Sequence, residues 1–187
     1  MLIDLKKLDQ EKENDSKSFT GTVGNHTFSY SRKLKDVLSA LEIDDTVHWV
    51  SNGDWSMHEM LIALLNKYGG GIVHLSSYGF SELPARTIAE LKQDGVITTL
   101  FCLVDNRIDT RSASALALIQ NVADKCVLTD THAKVTVLQA GNNYITVIGS
   151  ANYTSNKRYE AGIVTTIKEV ALFHRKWIND ELQGKVI

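Results

Sequence analysis

The sequence predicts an α/β domain in which helices flank a mixed β-sheet. Three features predict it. From residue 46 to about residue 123, short apolar, β-branched runs alternate with amphipathic helical patterns. Strand-like runs separated by turns follow. An amphipathic helix then closes the chain. The 187 residues are 43% apolar and 22% charged, enough to bury a core and unlike a disordered chain. No apolar run is long enough to span a membrane. The net charge of −2 argues against binding nucleic acid through bulk positive charge, so attraction for phosphate has to be local. Cys102 and Cys126 lie in strand-like runs outside any C-x-x-C pattern, and the first residues do not read as a signal peptide. The expectation is a cytoplasmic protein with no membrane association.

Residues 1–40 read as an N-terminal segment and residues 41–187 as the α/β domain. Within the first, residues 9–18 are polar throughout and read as a linker, and Gly24-Asn25 marks a hairpin over residues 19–32. A strand is expected over 46–50. Met57, Met60, Leu61, Leu64, Leu65 and Tyr68 then recur at helical spacing, with Ser56 and Glu59 forming a capping box and Gly69 a stop. A strand over 72–75 precedes a helix over 84–94, with Pro84 in its first turn and Gly95 closing it. The nearly unbroken apolar run 96–104 has strand length and suits a position covered on both faces. A third helix is expected over 112–123, then strands over 126–129, 132–138, 144–148 and 161–165. Thr166 and Glu169 offer a second capping box. Val170, Phe173, Trp177, Ile178 and Leu182 form the apolar stripe of the last helix.

The stretch that can carry chemistry is His132-Ala133-Lys134, then Gly149-Ser150-Ala151-Asn152, then Glu160. Alternation in a strand puts His132 and Lys134 on one open face, opposite Ala133, Val135 and Val137. In the next strand Ser150 and Asn152 share a face opposite Ile145, Val147 and Ala151. If residues 139–143 close a hairpin, an imidazole, an ammonium, a hydroxyl and a carboxamide can converge. That set suits a phosphate: lysine brings charge, serine and asparagine bring donors, and histidine can attack phosphorus or move a proton near neutral pH. Local charge agrees, since residues 131–168 hold Lys134, Lys157, Arg158 and Lys168 against Glu160 alone. Glu160 could orient His132 or pair with Lys157 or Arg158. Ser76 and Tyr78 follow one predicted strand and Arg107 and Arg111 another, positions that can line a site in α/β folds and touch a phosphodiester.

These residues resemble the phospholipase D superfamily, whose signature is H-x-K, four residues, D, then G-S-x-N. The match is His132-Ala133-Lys134 with Gly149-Ser150-Ala151-Asn152, and Glu160 falls where family members often carry an acidic residue. The order of elements from about Thr46 onward is similar to one lobe of that fold. Gln139 stands at the family's aspartate position, and the spacer to Gly149 is three residues longer, an excess assigned to the turn around residues 140–143. The resemblance implies an α/β sandwich of the phospholipase D type and a phosphodiesterase that needs no metal or other cofactor. Its enzymes use two H-x-K copies, one histidine as nucleophile and the other as general acid and base. This chain has one such copy in a strand, so the resemblance implies a homodimer like that of small bacterial endonucleases. His132, Lys134, Asn152 and Glu160 would then be catalytic, and Ser150, Ser76, Tyr78 and Arg107 would contact a nucleic acid or other phosphodiester. The alternative is a catalytically silent phosphate- or nucleic-acid-binding module of the same fold. A lipid-acting phosphatidyl transferase is a third reading, less suited to a chain without an amphipathic membrane helix.

Other motifs carry less. His48, His58 and His74 lie on different elements, which disfavours a zinc site, and Gly69-Gly70-Gly71 ends a helix and lacks the pattern of a phosphate-binding loop.

Overall fold

A computed structural model describes residues 19–23, 26–30, 33–51, 53–155 and 158–184. The linker reading of residues 9–18 and the Gly24-Asn25 turn lie outside the described residues. Strands β1 (Phe19–Val23) and β2 (His26–Tyr30) pair antiparallel, and Val23 opposite His26 leaves two residues to connect them. Helix α1 (Leu34–Ser39) leads to β3 (Thr46–Ser51), which pairs in parallel with β2.

Three β-α repeats follow: α2 (Met57–Tyr68), β4 (Gly71–Ser77), α3 (Glu82–Gln93), β5 (Ile97–Asp105), a single-turn α4 (Ile108–Arg111), α5 (Ala113–Val122) and β6 (Lys125–Thr129). The chain then makes β7 (Val135–Ala140), β8 (Asn143–Gly149), β9 (Glu160–Thr165) and α6 (Lys168–Leu182). The strands form one mixed sheet in the order β1-β2-β3-β9-β8-β7-β4-β5-β6. Strands β4, β5 and β6 are parallel, whereas β7, β8, β9 and β3 pair antiparallel in succession. The α/β class and the mixed sheet therefore stand as expected.

Helices cover both faces. On one, α2, α3 and α5 bury Met60, Leu61, Leu64, Ile88 and Ile119 against Leu75, Leu100, Cys102, Leu138, Ile145 and Val147. On the other, Ala171, Ile178 and Leu182 of α6 bury against Leu103, Val135 and Val137. Alternation along β7 explains the division, since Val135 and Val137 face α6 while Leu138 and Ala140 face the larger core. The strands between the two helical layers are consequently apolar on both sides. Gly162 admits Trp49: a Cβ there would lie 2.2 Å from the Ile148 carbonyl oxygen and 2.6 Å from the Trp49 ring.

Several local expectations change. Ser56 and Glu59 do form their capping box, the Ser56 N–H donating to Glu59 at 2.8 Å. Thr166 does not cap α6. Its hydroxyl donates to the Glu42 carbonyl at 2.6 Å and accepts from the Asp45 N–H, and Ile167 takes the cap position. Phe173 is not in the buried stripe and is 67% exposed, because the face turned to the sheet runs through Ala171, Ile178 and Leu182. The single turn α4 was not anticipated. Among the described residues no helix is long and apolar enough to cross a membrane.

Candidate functional site

The sheet directions bring one set of strand ends to a single rim. The carboxyl ends of β3, β4, β5, β6 and β8 meet the amino ends of β7 and β9 there. The rim crosses from parallel to antiparallel pairing between β4 and β7, the kind of switch point at which α/β sheets open a crevice. His132, Lys134, Ser150, Asn152, Glu160, Ser76, Tyr78, Arg107 and Arg111 lie on or just beyond it, whereas Gln139 and Lys168 lie toward the opposite edge.

His132 and Lys134 do not lie in a strand. Residues 131–134 lie outside any strand and β7 begins at Val135, although the Lys134 carbonyl still accepts the Gly149 N–H at 3.2 Å. Buried polar groups fix this segment in place. The Ser76 hydroxyl, fully buried, bonds Thr131 Oγ1 at 3.2 Å and reaches the Ala133 carbonyl at 3.5 Å, and the Ala133 N–H donates to Thr131 Oγ1. The Thr131 N–H donates to the Thr129 carbonyl at 3.1 Å. Ser76 thus holds the histidine segment from beneath and has no surface to offer a ligand.

Lys134 was expected on an open face, yet only 9% of its surface is exposed. Its Nζ donates to the His132 carbonyl at 2.7 Å and to His132 Nδ1 at 3.1 Å, and lies 5.2 Å from the centre of the Tyr78 ring. Burial lowers its pKa, while the carboxylates of Glu160 and Asp105 act the other way. An ammonium has no lone pair, so His132 Nδ1 is the acceptor and a neutral imidazole carries its proton on Nε2. His132 itself is exposed and packs against Tyr78, with ring centres 4.6 Å apart. In this state its outer nitrogen is a hydrogen-bond donor, fit to bind an oxygen.

Tyr78 is the hub of the cluster. Besides His132 and Lys134, its ring has the Arg107 guanidinium at 4.9 Å and that of Arg111 at 5.1 Å, and Arg111 Nη1 donates to its hydroxyl at 2.5 Å. Arg107 is bound to both oxygens of Asp105, at 2.6 and 2.9 Å, and reaches Asp130 at 3.5 Å. The bidentate pair holds the Asp105 carboxyl at about 2 and pushes Arg107 up.

Ser150 and Asn152 lie just past the end of β8 at Gly149 and so are not strand residues. This matters for the geometry. The register pairs Val135 with Ile148 and runs one residue further, the Gly149 N–H donating to the Lys134 carbonyl at 3.2 Å, so Lys134 lies beside Gly149. Ser150 keeps its place along β9, its N–H donating to the Ala161 carbonyl at 3.0 Å, and the chain leaves the sheet beyond it. Asn152 reaches the Ser77 hydroxyl at 3.5 Å, and Ser150 hydrogen-bonds the Glu160 carboxylate while accepting the Ala161 N–H at 3.1 Å. Ser150 is therefore linked to Lys134 through the charge of Glu160 rather than by contact. The loop is pinned from below by Tyr153, whose buried hydroxyl bonds Thr136 at 2.7 Å and whose ring stacks on Phe80. A hollow of about 250 Å³ opens on the same rim, lined by Trp55, His58, Glu59, Leu83 and Ser155.

Gln139 is elsewhere. It lies near the far end of β7 and accepts a hydrogen bond from Arg175 of α6 at 2.7 Å. Asp105 and Ser77 stand at the strand ends where a site was expected, but their parts, bracing Arg107 and meeting Asn152, were not read from the sequence. An aspartate closing a buried strand, two residues before an arginine, was the available signal for the first. No protein-family model matches the chain, and no curated protein matches it.

Proposed function

We propose that this protein is a phosphodiesterase with a fold of the phospholipase D type, a nuclease that works without a metal ion through a phosphohistidine on His132. The observation that carries the reading is the contact of Lys134 Nζ with both His132 Nδ1 and the His132 carbonyl at the open rim. An ammonium and an imidazole held together at a solvent-facing edge are the minimum a phosphate needs for binding and transfer.

The chemistry needs two histidines, and a second copy of the chain supplies the other. A phosphate oxygen draws Lys134 from His132 Nδ1, the ring proton moves from Nε2 to Nδ1, and the Nε2 lone pair attacks phosphorus. An N–P bond forms as the bond to the leaving oxygen breaks, and that oxygen takes a proton from the imidazolium of His132 of the partner subunit, which is left as a neutral imidazole. Water then attacks phosphorus, gives its proton to that imidazole to restore the imidazolium, and the N–P bond breaks to release His132. Displacement of Lys134 from Nδ1 by substrate frees that nitrogen to carry a proton in either role. Leu83 and Tyr159, 59% and 69% exposed beside the rim, give it apolar surface for a partner to cover. Free Cys102 and Cys126, with burial raising the Cys126 thiol to about 11, fit a reducing cytoplasm.

The test is incubation with single- and double-stranded DNA, RNA and bis(4-nitrophenyl) phosphate in excess EDTA. Cleavage continues, and after an alkaline quench the His132 peptide carries a phosphoryl group. Cleavage lost in EDTA and restored by Mg²⁺, or a monomer that still turns over, overturns the mechanism. One observation favours a silent binding module instead: Lys134 is satisfied by its own histidine. Tight binding with no cleavage under any of these conditions is the result that module gives.

A further inference from the structure

The two arginines against Tyr78 are not equivalent. Arg107 is neutralised by the fully buried Asp105 through two short hydrogen bonds, and it has Asp130 on its other side. It braces the rim. Arg111 is exposed, and among the described residues no carboxylate lies within 4 Å of its guanidinium. Its Nη1 instead bonds the Tyr78 hydroxyl at 2.5 Å, a neutral partner that fixes its direction without cancelling its charge.

Tyr78 also fixes where this charge sits relative to the transfer site. Lys134 Nζ and the Arg111 guanidinium lie 5.2 and 5.1 Å from the same ring centre, so the two cations are no more than about 10 Å apart. Successive phosphates of a strand advance about 3.4 Å along its axis, so two cations at this separation can serve two phosphates of one chain. A guanidinium with its planar edge open is well suited to grip a non-bridging oxygen pair.

We propose that Arg111, oriented by Tyr78, binds the phosphate next to the one held by His132 and Lys134, so that the ligand is a polynucleotide strand. The proposal rests on the phosphodiesterase reading and narrows it. A phospholipid diester or an isolated phosphodiester has no second phosphate for this position, whereas DNA and RNA strands share the required repeat.

The experiment uses the full chain and 12-residue fluorescent oligonucleotides, deoxyribose and ribose in separate arms, with binding read by anisotropy over a range of salt. Arg111→Ala weakens binding by about tenfold at low salt and reduces the salt slope by about 0.7, the value for one single-strand phosphate contact. Arg111→Lys, which keeps the charge and guards against a folding artefact, recovers part of the loss. Tyr78→Phe, which frees the guanidinium from its hydroxyl anchor, gives a smaller loss of affinity. The loss in kcat/KM for Arg111→Ala is at least about fivefold larger on an oligonucleotide than on bis(4-nitrophenyl) phosphate, which offers a single phosphate. Binding within twofold of the parent protein with an unchanged salt slope overturns the assignment. So does Arg111-dependent capture of phosphatidylglycerol vesicles with no oligonucleotide binding. If the parent protein cleaves nothing, the catalytic reading fails, but the anisotropy series still decides the role of Arg111.

Discussion

At its amino end β7 emerges from a segment outside any strand that carries His132 and Lys134 onto the rim, held by Ser76 and Thr131. At its carboxyl end Gln139 pairs with Ile72 and Tyr144 in the sheet and takes a hydrogen bond from Arg175 of α6. The seven steps from His132 to Gln139 span roughly 23 Å when extended. The H-x-K-x4-D pattern therefore joins two places with separate tasks. Its first two members lie at the rim where we propose the phosphate binds, and its last position ties a helix to the sheet. The comparison teaches that losing the motif aspartate does not by itself empty the site, because glutamine at that position can still accept from an arginine.

The largest effect that can break this comparison lies at the functional end. His132→Ala is expected to reduce turnover by at least about 10³-fold, since it removes the proposed nucleophile. The exposed side chain leaves no cavity, so the melting temperature stays near that of the parent. Turnover that survives the substitution ends the nucleophile assignment. A matching loss of thermal stability would place His132 in the structural class with Gln139.

The next effect lies between the two ends and is set by pH. His74, opposite Val137 in the sheet and buried, faces Arg175 and Asn179 of α6, and burial followed by the Arg175 charge lowers its pKa to about 4. Its value in the unfolded chain is 6.5. Between these values the unfolded chain binds the proton more readily, so stability is full above pH 6.5 and falls as pH drops toward 4. The shift corresponds to about 3 kcal/mol at its limit. Urea titrations from pH 7 to 4 read it directly, and His74→Phe should flatten the profile. An unchanged slope in that variant removes His74 as the cause. The Asp105–Arg107 pair of the functional rim answers in a lower window, its stabilisation being lost as pH falls from 3.8 toward 2.

The smallest effect belongs to the structural end. Gln139→Ala deletes one hydrogen bond to a charged donor and should cost about 1 kcal/mol of stability. Gln139→Asp recovers that by pairing with Arg175. Neither variant should change turnover by more than about twofold, because both act far from the rim. A large gain in activity on restoring the aspartate would show that the two ends are coupled after all.

Much of the scaffold was legible because it depends on short-range periodicity. Helical spacing over Met57–Tyr68, the capping pair Ser56 and Glu59, and the apolar run of β5 are each local patterns with one low-energy answer. The hairpin joining β7 to β8 was also readable, and its turn is Gly141-Asn142, with Gly141 at φ 58°. Phe173 and Thr166 misled for a related reason. A helical stripe can be drawn through either side of an amphipathic sequence, and a capping residue can be claimed by a distant partner such as the Glu42 carbonyl.

The residue types of the site were determined by the sequence alone: one histidine, one lysine two positions on, and a serine and an asparagine after the next strand. Their spatial relation was decided only by the tertiary structure. Strand alternation cannot say where the chain leaves the sheet: the backbone pairing of β7 with β8 runs on to Lys134 and Gly149, and Ser150 then meets Glu160 rather than Lys134. Long-range contacts decide the rest: Ser76 fixes the histidine segment, and Tyr153 fixes the asparagine loop. Which arginine stays open to a phosphate was equally invisible in the sequence, because it depends on which one Asp105 holds. Pairings of this kind join residues distant in sequence through burial and charge, and local pattern carries no information about either.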